Sequence, residues 1–150
     1  MTEATVPHRY HPTTGTGGSR PLRVVVFLCT WCSFSAADKA GTKRLPVPAE
    51  LSVIRVACSG RVEPTLVLEA FRQGADGVMV MGCHPGDCHY QSGNLQAQCR
   101  AVLLDRLLPQ LGIDAARFRF HYVASTEADR YHHLTTEFVQ SLYEFDTGAS

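Results

Sequence analysis

Short β-branched runs alternate with helical stretches from residue 22 onwards. The first run, residues 22–28, is apolar throughout, which is typical of a strand buried on both faces. Strands that alternate with helices form βαβ units and hence parallel sheets. The sequence therefore predicts an α/β fold, a single three-layer domain with a mainly parallel four-stranded sheet, similar to half of a flavodoxin or Rossmann fold. The other predicted strands are residues 52–57, 77–82 and 118–124, and the predicted helices are residues 33–40, 64–74, 93–111 and 126–145.

The periodic pattern also sets the predicted domain limits. Residues 1–21 are rich in Thr, Gly and Pro and show no apolar period, so we expect a flexible N-terminal tail there. His8 and His11 lie in this tail and are interpreted as solvated side chains. The folded domain is predicted over residues 22–146, and residues 147–150 are predicted to form a short C-terminal tail.

Charge and hydropathy exclude several classes of function. The 14 Lys and Arg residues balance 14 Asp and Glu residues, and no basic stripe is present, so we expect no nucleic-acid partner. The longest apolar run, residues 24–29, is far shorter than the roughly 20 residues of a membrane span. We expect a cytoplasmic protein without a membrane span. Glycine-rich phosphate-binding motifs and serine nucleophile motifs are absent, and no catalytic residues are predicted.

The chain contains six cysteines, which is notable because disulfides are rare in the cytoplasm. Cys29 and Cys32 follow the first predicted strand, Cys58 ends the second, and Cys83 and Cys88 follow the third. The carboxyl ends of parallel strands lie at one edge of the sheet, where open α/β folds place their ligands. The sequence therefore predicts that these five thiols converge.

Converging thiols fit more than one chemistry. The spacing of Cys29 and Cys32 suits zinc, an iron–sulfur cluster or a thioredoxin-like dithiol. Four thiolates suffice for an iron–sulfur cluster or for structural zinc, and a fifth thiol would lie outside that set. Our leading hypothesis is an electron carrier with an iron–sulfur cluster. The alternatives are a zinc-binding structural or interaction module and a thiol–disulfide protein that uses Cys29 and Cys32. For Cys58, in an apolar strand, packing alone is a further interpretation.

Neighbouring side chains give secondary expectations. His84 and His89 flank the loop of residues 83–88 and are interpreted as hydrogen-bonding or exposed loop residues, with a histidine ligand as the alternative. Trp31 could shield the centre from water, and Arg61 could offset its negative charge. Cys99 lies on an apolar stripe of the third predicted helix and is expected to pack in the core.

Four stretches of this sequence resemble a known family, the iron–sulfur delta subunit of methyl-viologen-reducing hydrogenase. They are TWCSFSAADKAG (30–41), CSGRVEP (58–64), GADGVMVMGCHPGDCHY (74–90) and GN (93–94). The resemblance extends over about residues 22–145 and excludes the N-terminal tail.

The resemblance implies a single 2Fe–2S cluster in an electron-transfer subunit. Members of the family carry electrons from a hydrogenase or a formate dehydrogenase to heterodisulfide reductase-type complexes. The implied partners are therefore hydrogenase or formate dehydrogenase subunits and a heterodisulfide reductase-like flavin/iron–sulfur subunit. The candidate ligands implied by motif position, of which four would be used, are Cys29, Cys32, Cys58, Cys83 and Cys88.

Overall fold

The fold is built on a four-stranded parallel sheet. The computed structural model describes residues 21–88 and 91–148. The strands are β1 (Val24–Cys29), β2 (Leu51–Val56), β3 (Gly77–Gly82) and β4 (Phe118–Tyr122), in the spatial order β2-β1-β3-β4. Every neighbouring pair is parallel, with Val24 of β1 opposite Leu51 and Gly77. The α/β prediction is confirmed, and the described sheet is parallel throughout.

Helices cover both faces of this sheet. They are α1 (Ser33–Thr42), α2 (Pro64–Arg72), α3 (Gly93–Leu107) and α4 (Ala128–Gly148). Successive side chains of a strand point to opposite faces, so β3 contributes to two separate cores. Met79 and Met81 pack with α1 and α4, whereas Val78 and Val80 pack with α2 and α3. This arrangement gives the predicted three layers.

Element boundaries differ from the predictions by a few residues. The third helix ends at Leu107 and continues as a 3-10 turn at Leu108–Leu111, because Pro109 cannot donate a backbone hydrogen bond. Gly112 then closes the turn with a φ of 81°. The last helix extends to Gly148, three residues beyond its predicted end. The predictions for residues 1–20, including His8 and His11, and for residues 149–150 lie outside the described residues.

The outer strand β2 is covered less than the others. Its four central residues, residues 52–55, are exposed, and Val53 and Ile54 point to opposite faces of the sheet. One cover over this strand comes from Phe34 of α1, whose ring lies 5.0 Å from the guanidinium carbon of Arg55. Both central strands are buried, so the thiol-bearing end of β1 is enclosed by its neighbours.

The prediction that Cys99 packs in the core is wrong. Cys99 is exposed on the outer face of α3. Alanines on the opposite face let α3 approach the sheet closely, whereas the larger apolar residues that suggested a core stripe face outwards. The outward residues are Leu95, Cys99, Val102 and Leu103, and the inward ones are Asn94, Ala97, Ala101 and Leu104.

The described helices include none with the combination of length and apolar character required to cross a membrane.

A buried ion pair joins the turn before β4 to the end of α4. The Arg117 guanidinium donates to Oδ1 of Asp146 at 2.7 Å and to the carbonyl oxygen of Asp76 at 3.0 Å. The Arg117 side chain is 6% exposed and that of Asp146 is 17% exposed. The guanidinium carbon of Arg117 also lies 5.1 Å from the centre of the Phe145 ring. Removal of the carboxylate would leave a buried cation without its counter-charge.

We predict that Asp146→Ala lowers the free energy of unfolding by about 1–3 kcal/mol, because the buried guanidinium loses its anion. Urea denaturation followed by circular dichroism measures the change. The matched control is Glu137→Ala, also in α4, whose 65% exposed carboxylate pairs with His133 at 3.3 Å. That variant should stay within about 0.5 kcal/mol of the parent. Equal losses in both variants would contradict the prediction.

Candidate metal centre

Three buried thiols meet where β1 and β3 end. These strands are direct neighbours, so Cys29, the last residue of β1, lies beside Cys83, which follows β3. Their Sγ atoms are 3.6 Å apart. Cys32 occupies the N-cap position of α1, and the Sγ atoms of Cys29, Cys32 and Cys83 all lie within 4.8 Å of one another. The parallel register thus gathers thiols that are far apart in the sequence.

A second pair of thiols lies beside the first three. Cys58 follows β2 and caps the 3-10 turn Ser59–Arg61, where the Gly60 backbone N–H donates to its Sγ at 3.5 Å. Cys88 ends the loop after β3, and its Sγ lies 3.8 Å from that of Cys58. Cys88 also packs against the buried group of Cys29, Cys32 and Cys83. The structure therefore brings all five predicted thiols to one edge of the sheet.

Glycines allow α3 to approach Cys58 closely. A Cβ atom on Gly93, the first residue of α3, would lie 2.1 Å from the Cys58 Sγ. A Cβ atom on Gly60 would lie 2.8 Å from the Cα of Gly93, and Arg100 of α3 donates to the Gly60 carbonyl oxygen. The thiol, the turn and the helix start are therefore in direct backbone contact. Gly93 lies within one of the stretches that carry the family resemblance, but the sequence pattern did not predict this role.

Ser33 is a site residue that the sequence pattern did not reveal. It is completely buried at the start of α1, and its Oγ accepts a hydrogen bond of 2.8 Å from the Cys29 backbone N–H. The Ser33 backbone N–H donates to the Cys29 Sγ at 3.4 Å. The Ser33 Oγ lies 3.3 Å from the same sulfur and 3.0 Å from the Met81 carbonyl oxygen. A serine directly after a cysteine at a helix start was the available signal for these contacts.

Asn94 holds the loop that carries Cys83. Its Nδ2 donates to the carbonyl oxygens of Cys83 and His84, each at 2.9 Å, and its side chain is completely buried. His84 Nε2 contacts the Glu127 carboxylate, which also accepts from the Ala124 backbone N–H. His84 thus connects the loop to the segment before α4. His89 lies outside the described residues.

The thiols differ in acidity because they share few protons in a small buried space. A hydrogen bond from Cys83, together with those from Ser33, lowers the pKa of Cys29 to about 5 despite its burial. The same contact with the Cys29 thiolate, and burial, raise the pKa of Cys83. Burial is also the main cause that raises the pKa of Cys32 and of Cys58. Further thiolates would form only with a compensating positive charge, which a metal ion provides.

The donor set fits a metal centre. Two thiolates on one tetrahedral metal with bonds of about 2.3 Å lie about 3.8 Å apart. The Sγ distances of 3.6 Å between Cys29 and Cys83 and of 3.8 Å between Cys58 and Cys88 both match this value. Among the residues that the structure describes, Cys29, Cys32 and Cys83 also form a group able to hold a metal ion.

The centre lies close to the protein surface. A cleft of about 300 Å³ opens beside Cys58, and Arg61, Ser92 and Gln96 contribute to its lining. Arg61 is exposed, which places a positive charge at this opening. Trp31, which was expected to shield the centre, is 51% exposed, so about half of its surface faces outwards.

Comparison with known proteins gives a consistent family. The family model described as methyl-viologen-reducing hydrogenase, delta subunit, matches residues 24–146. An F420-non-reducing hydrogenase iron-sulfur subunit of Archaeoglobus profundus is 47% identical over 115 residues, which cover 77% of this chain and 84% of the relative. The F420-non-reducing hydrogenase vhc iron-sulfur subunit of Methanococcus voltae is 44% identical over 109 residues, covering 73% of this chain and 76% of the relative.

A third relative is much longer. This protein, from the ferredoxin:CoB-CoM heterodisulfide reductase of Methanosarcina mazei, is 43% identical over 121 residues. The match covers 81% of this chain but 15% of that protein. A domain similar to this chain therefore also occurs as a segment of a larger polypeptide.

We predict that Gly93→Ala lowers the free energy of unfolding by about 1–3 kcal/mol and reduces the metal bound per chain, because the new methyl group would displace Cys58 or α3. Urea denaturation and metal analysis of anaerobically purified protein measure both effects.

The matched control for Gly93→Ala is Gly41→Ala in α1, where no heavy atom lies within 4 Å of the added Cβ. Its stability should stay equal or rise by up to about 1 kcal/mol through helix propensity. The close approach to Cys58 would be unimportant if the two variants behaved alike.

Proposed function

The chain belongs to the family of the methyl-viologen-reducing hydrogenase delta subunit, and on this premise we propose that it is an electron-transfer subunit with one 2Fe–2S cluster. It relays electrons between a hydrogenase and a heterodisulfide reductase-like complex. The observation that carries the proposal is the meeting of five thiols from three strand ends, in two pairs with metal-compatible spacing. Iron–sulfur subunits among the relatives favour iron as the metal.

The spacing supports a definite ligand set. Cys29 with Cys83 would hold one iron, and Cys58 with Cys88 would hold the other, since each pair has the separation of two thiolates on one tetrahedral metal. Cys32 is then the fifth thiol, next to the first pair but outside both. When bound, such a cluster supplies one-electron chemistry without bond formation to a substrate.

The protein contributes position and environment. Cys29 and Cys83 are 2% and 3% exposed, which keeps water from one side of the site. The opposite side opens to the cleft beside Cys58. A partner protein can therefore approach the centre without a large movement of the fold, which suits a carrier role.

The two alternative functions have less support. A zinc module would use the same thiols, but the relatives described above are named for iron–sulfur subunits and a heterodisulfide reductase. A thiol–disulfide protein using Cys29 and Cys32 fits the lowered pKa of Cys29. However, a redox thiol needs access to its substrate, and Cys29 is buried with its sulfur next to that of Cys83.

The partners and the location follow from the same premise. Relatives named for hydrogenases and for a heterodisulfide reductase favour these two as donor and acceptor, whereas a formate dehydrogenase partner stays a prediction from the family resemblance. A centre held by thiolates needs its cysteines in the reduced form. This requirement favours a cytoplasmic location, where disulfides are rare.

Anaerobically purified protein should contain about two irons and two acid-labile sulfides per chain. Its visible absorption should bleach on reduction with dithionite, because the cluster accepts an electron. Metal analysis and spectra before and after dithionite test this. Stoichiometric zinc in a colourless protein would overturn the proposal.

Serine variants of the cysteines test the ligand set. Substitution of Cys29, Cys58, Cys83 or Cys88 should remove most of the visible absorption, because serine replaces a thiolate ligand. Cys32→Ser should keep the iron content and the spectrum close to those of the parent. Cys99→Ser is the matched control, since Cys99 is exposed on α3, and it should leave the spectrum unchanged. Loss of the cluster in Cys32→Ser, with retention in Cys58→Ser, would reassign the fifth thiol.

A further inference from the structure

We propose that the Ser33 hydroxyl is a hydrogen-bond donor to the Cys29 sulfur that raises the reduction potential of the bound centre. The inference rests on the proposed function, since it requires a redox centre held by Cys29. Ser33 would be a positioning and tuning residue, without direct contact to the metal.

The hydroxyl has few choices of partner. Its oxygen accepts from the Cys29 backbone N–H at 2.8 Å, which fixes its orientation. Its single hydrogen can then point to the Met81 carbonyl oxygen at 3.0 Å or to the Cys29 Sγ at 3.3 Å. The Cys29 carbonyl oxygen, at 3.5 Å, is a more distant acceptor. Ser33 is completely buried, so bulk water does not compete for the hydrogen.

Charge on the sulfur decides between these acceptors. A neutral carbonyl competes well with a neutral thiol, whereas a hydrogen bond to an ionised sulfur is charge-assisted and stronger. Addition of an electron to the centre increases the negative charge on its sulfur ligands. The hydroxyl therefore stabilises the reduced state more than the oxidised state, and burial strengthens the effect because the local dielectric is low. A donor of this kind shifts the reduction potential upwards.

The side chain can be tested apart from the backbone. The Ser33 backbone N–H also donates to the Cys29 Sγ, at 3.4 Å, and this bond does not depend on the side chain. Ser33→Ala would therefore remove the hydroxyl and keep the amide donor. Ser33→Thr keeps a hydroxyl on the same carbon. Thr42→Ala is the matched control, because the Thr42 hydroxyl donates to the Asp38 carbonyl oxygen within α1 and lies near the far end of that helix.

The experiment is an anaerobic redox titration of the full chain and its variants, followed by visible absorption. Ser33→Ala should have a lower midpoint potential than the parent, with circular dichroism and iron content unchanged. Ser33→Thr should restore the potential towards the parent value, and Thr42→Ala should match the parent. A purely structural role would change stability or iron content without this ordered shift in potential.

The outcomes separate the two proposals. A parent protein without an iron–sulfur spectrum would overturn the proposed function. A parent with the cluster and a Ser33→Ala variant of equal potential would overturn the role of the hydroxyl alone. If Ser33→Ala does not fold, Ser33→Gly also removes the hydroxyl and is titrated in its place. Failure of both variants to hold the cluster would make Ser33 a structural residue and likewise overturn the inference.

Discussion

Parallel pairing of β1 with both β2 and β3 is the constraint on which the site depends. It places the carboxyl ends of three strands side by side, and each of them ends on a cysteine or is followed closely by one. A reversed strand would carry its thiol to the opposite edge of the sheet. The long separations in sequence between Cys29, Cys58 and Cys83 therefore become short distances without any unusual loop.

Small and polar residues then determine how closely the thiols approach. Gly60 and Gly93 let the turn after β2 touch the start of α3, so that Cys58 lies against the helix backbone. Ser33 and Asn94 supply buried hydrogen bonds to the Cys29 sulfur and to the backbone after β3. Because buried polar groups are costly when unpaired, these contacts also hold the loops in one arrangement. The site is thus built largely by neighbours of the cysteines.

The enclosed and open sides of the site serve different needs of an electron carrier. Burial of Cys29 and Cys83 under α1 and the central strands protects the inner side from water. The cleft beside Cys58 and the exposed Trp31 leave the outer side accessible. Relatives that occur both as short subunits and as a segment of a larger reductase chain share this domain type. The fold therefore needs no further domain to gather its thiols.

The sequence by itself determined the α/β class, the approximate elements and the common edge for five thiols, because apolar periodicity and strand-end position are local properties of the chain. Only the tertiary structure decided that Cys29 pairs with Cys83 and Cys58 with Cys88, since this follows from the spatial order of the strands. It also decided that the apolar stripe around Cys99 faces outwards. Both faces of α3 carry apolar residues, and the close fit of its alanines to the sheet selects the inner one. The contacts of Ser33 depend on such packing, which short-range patterns do not encode.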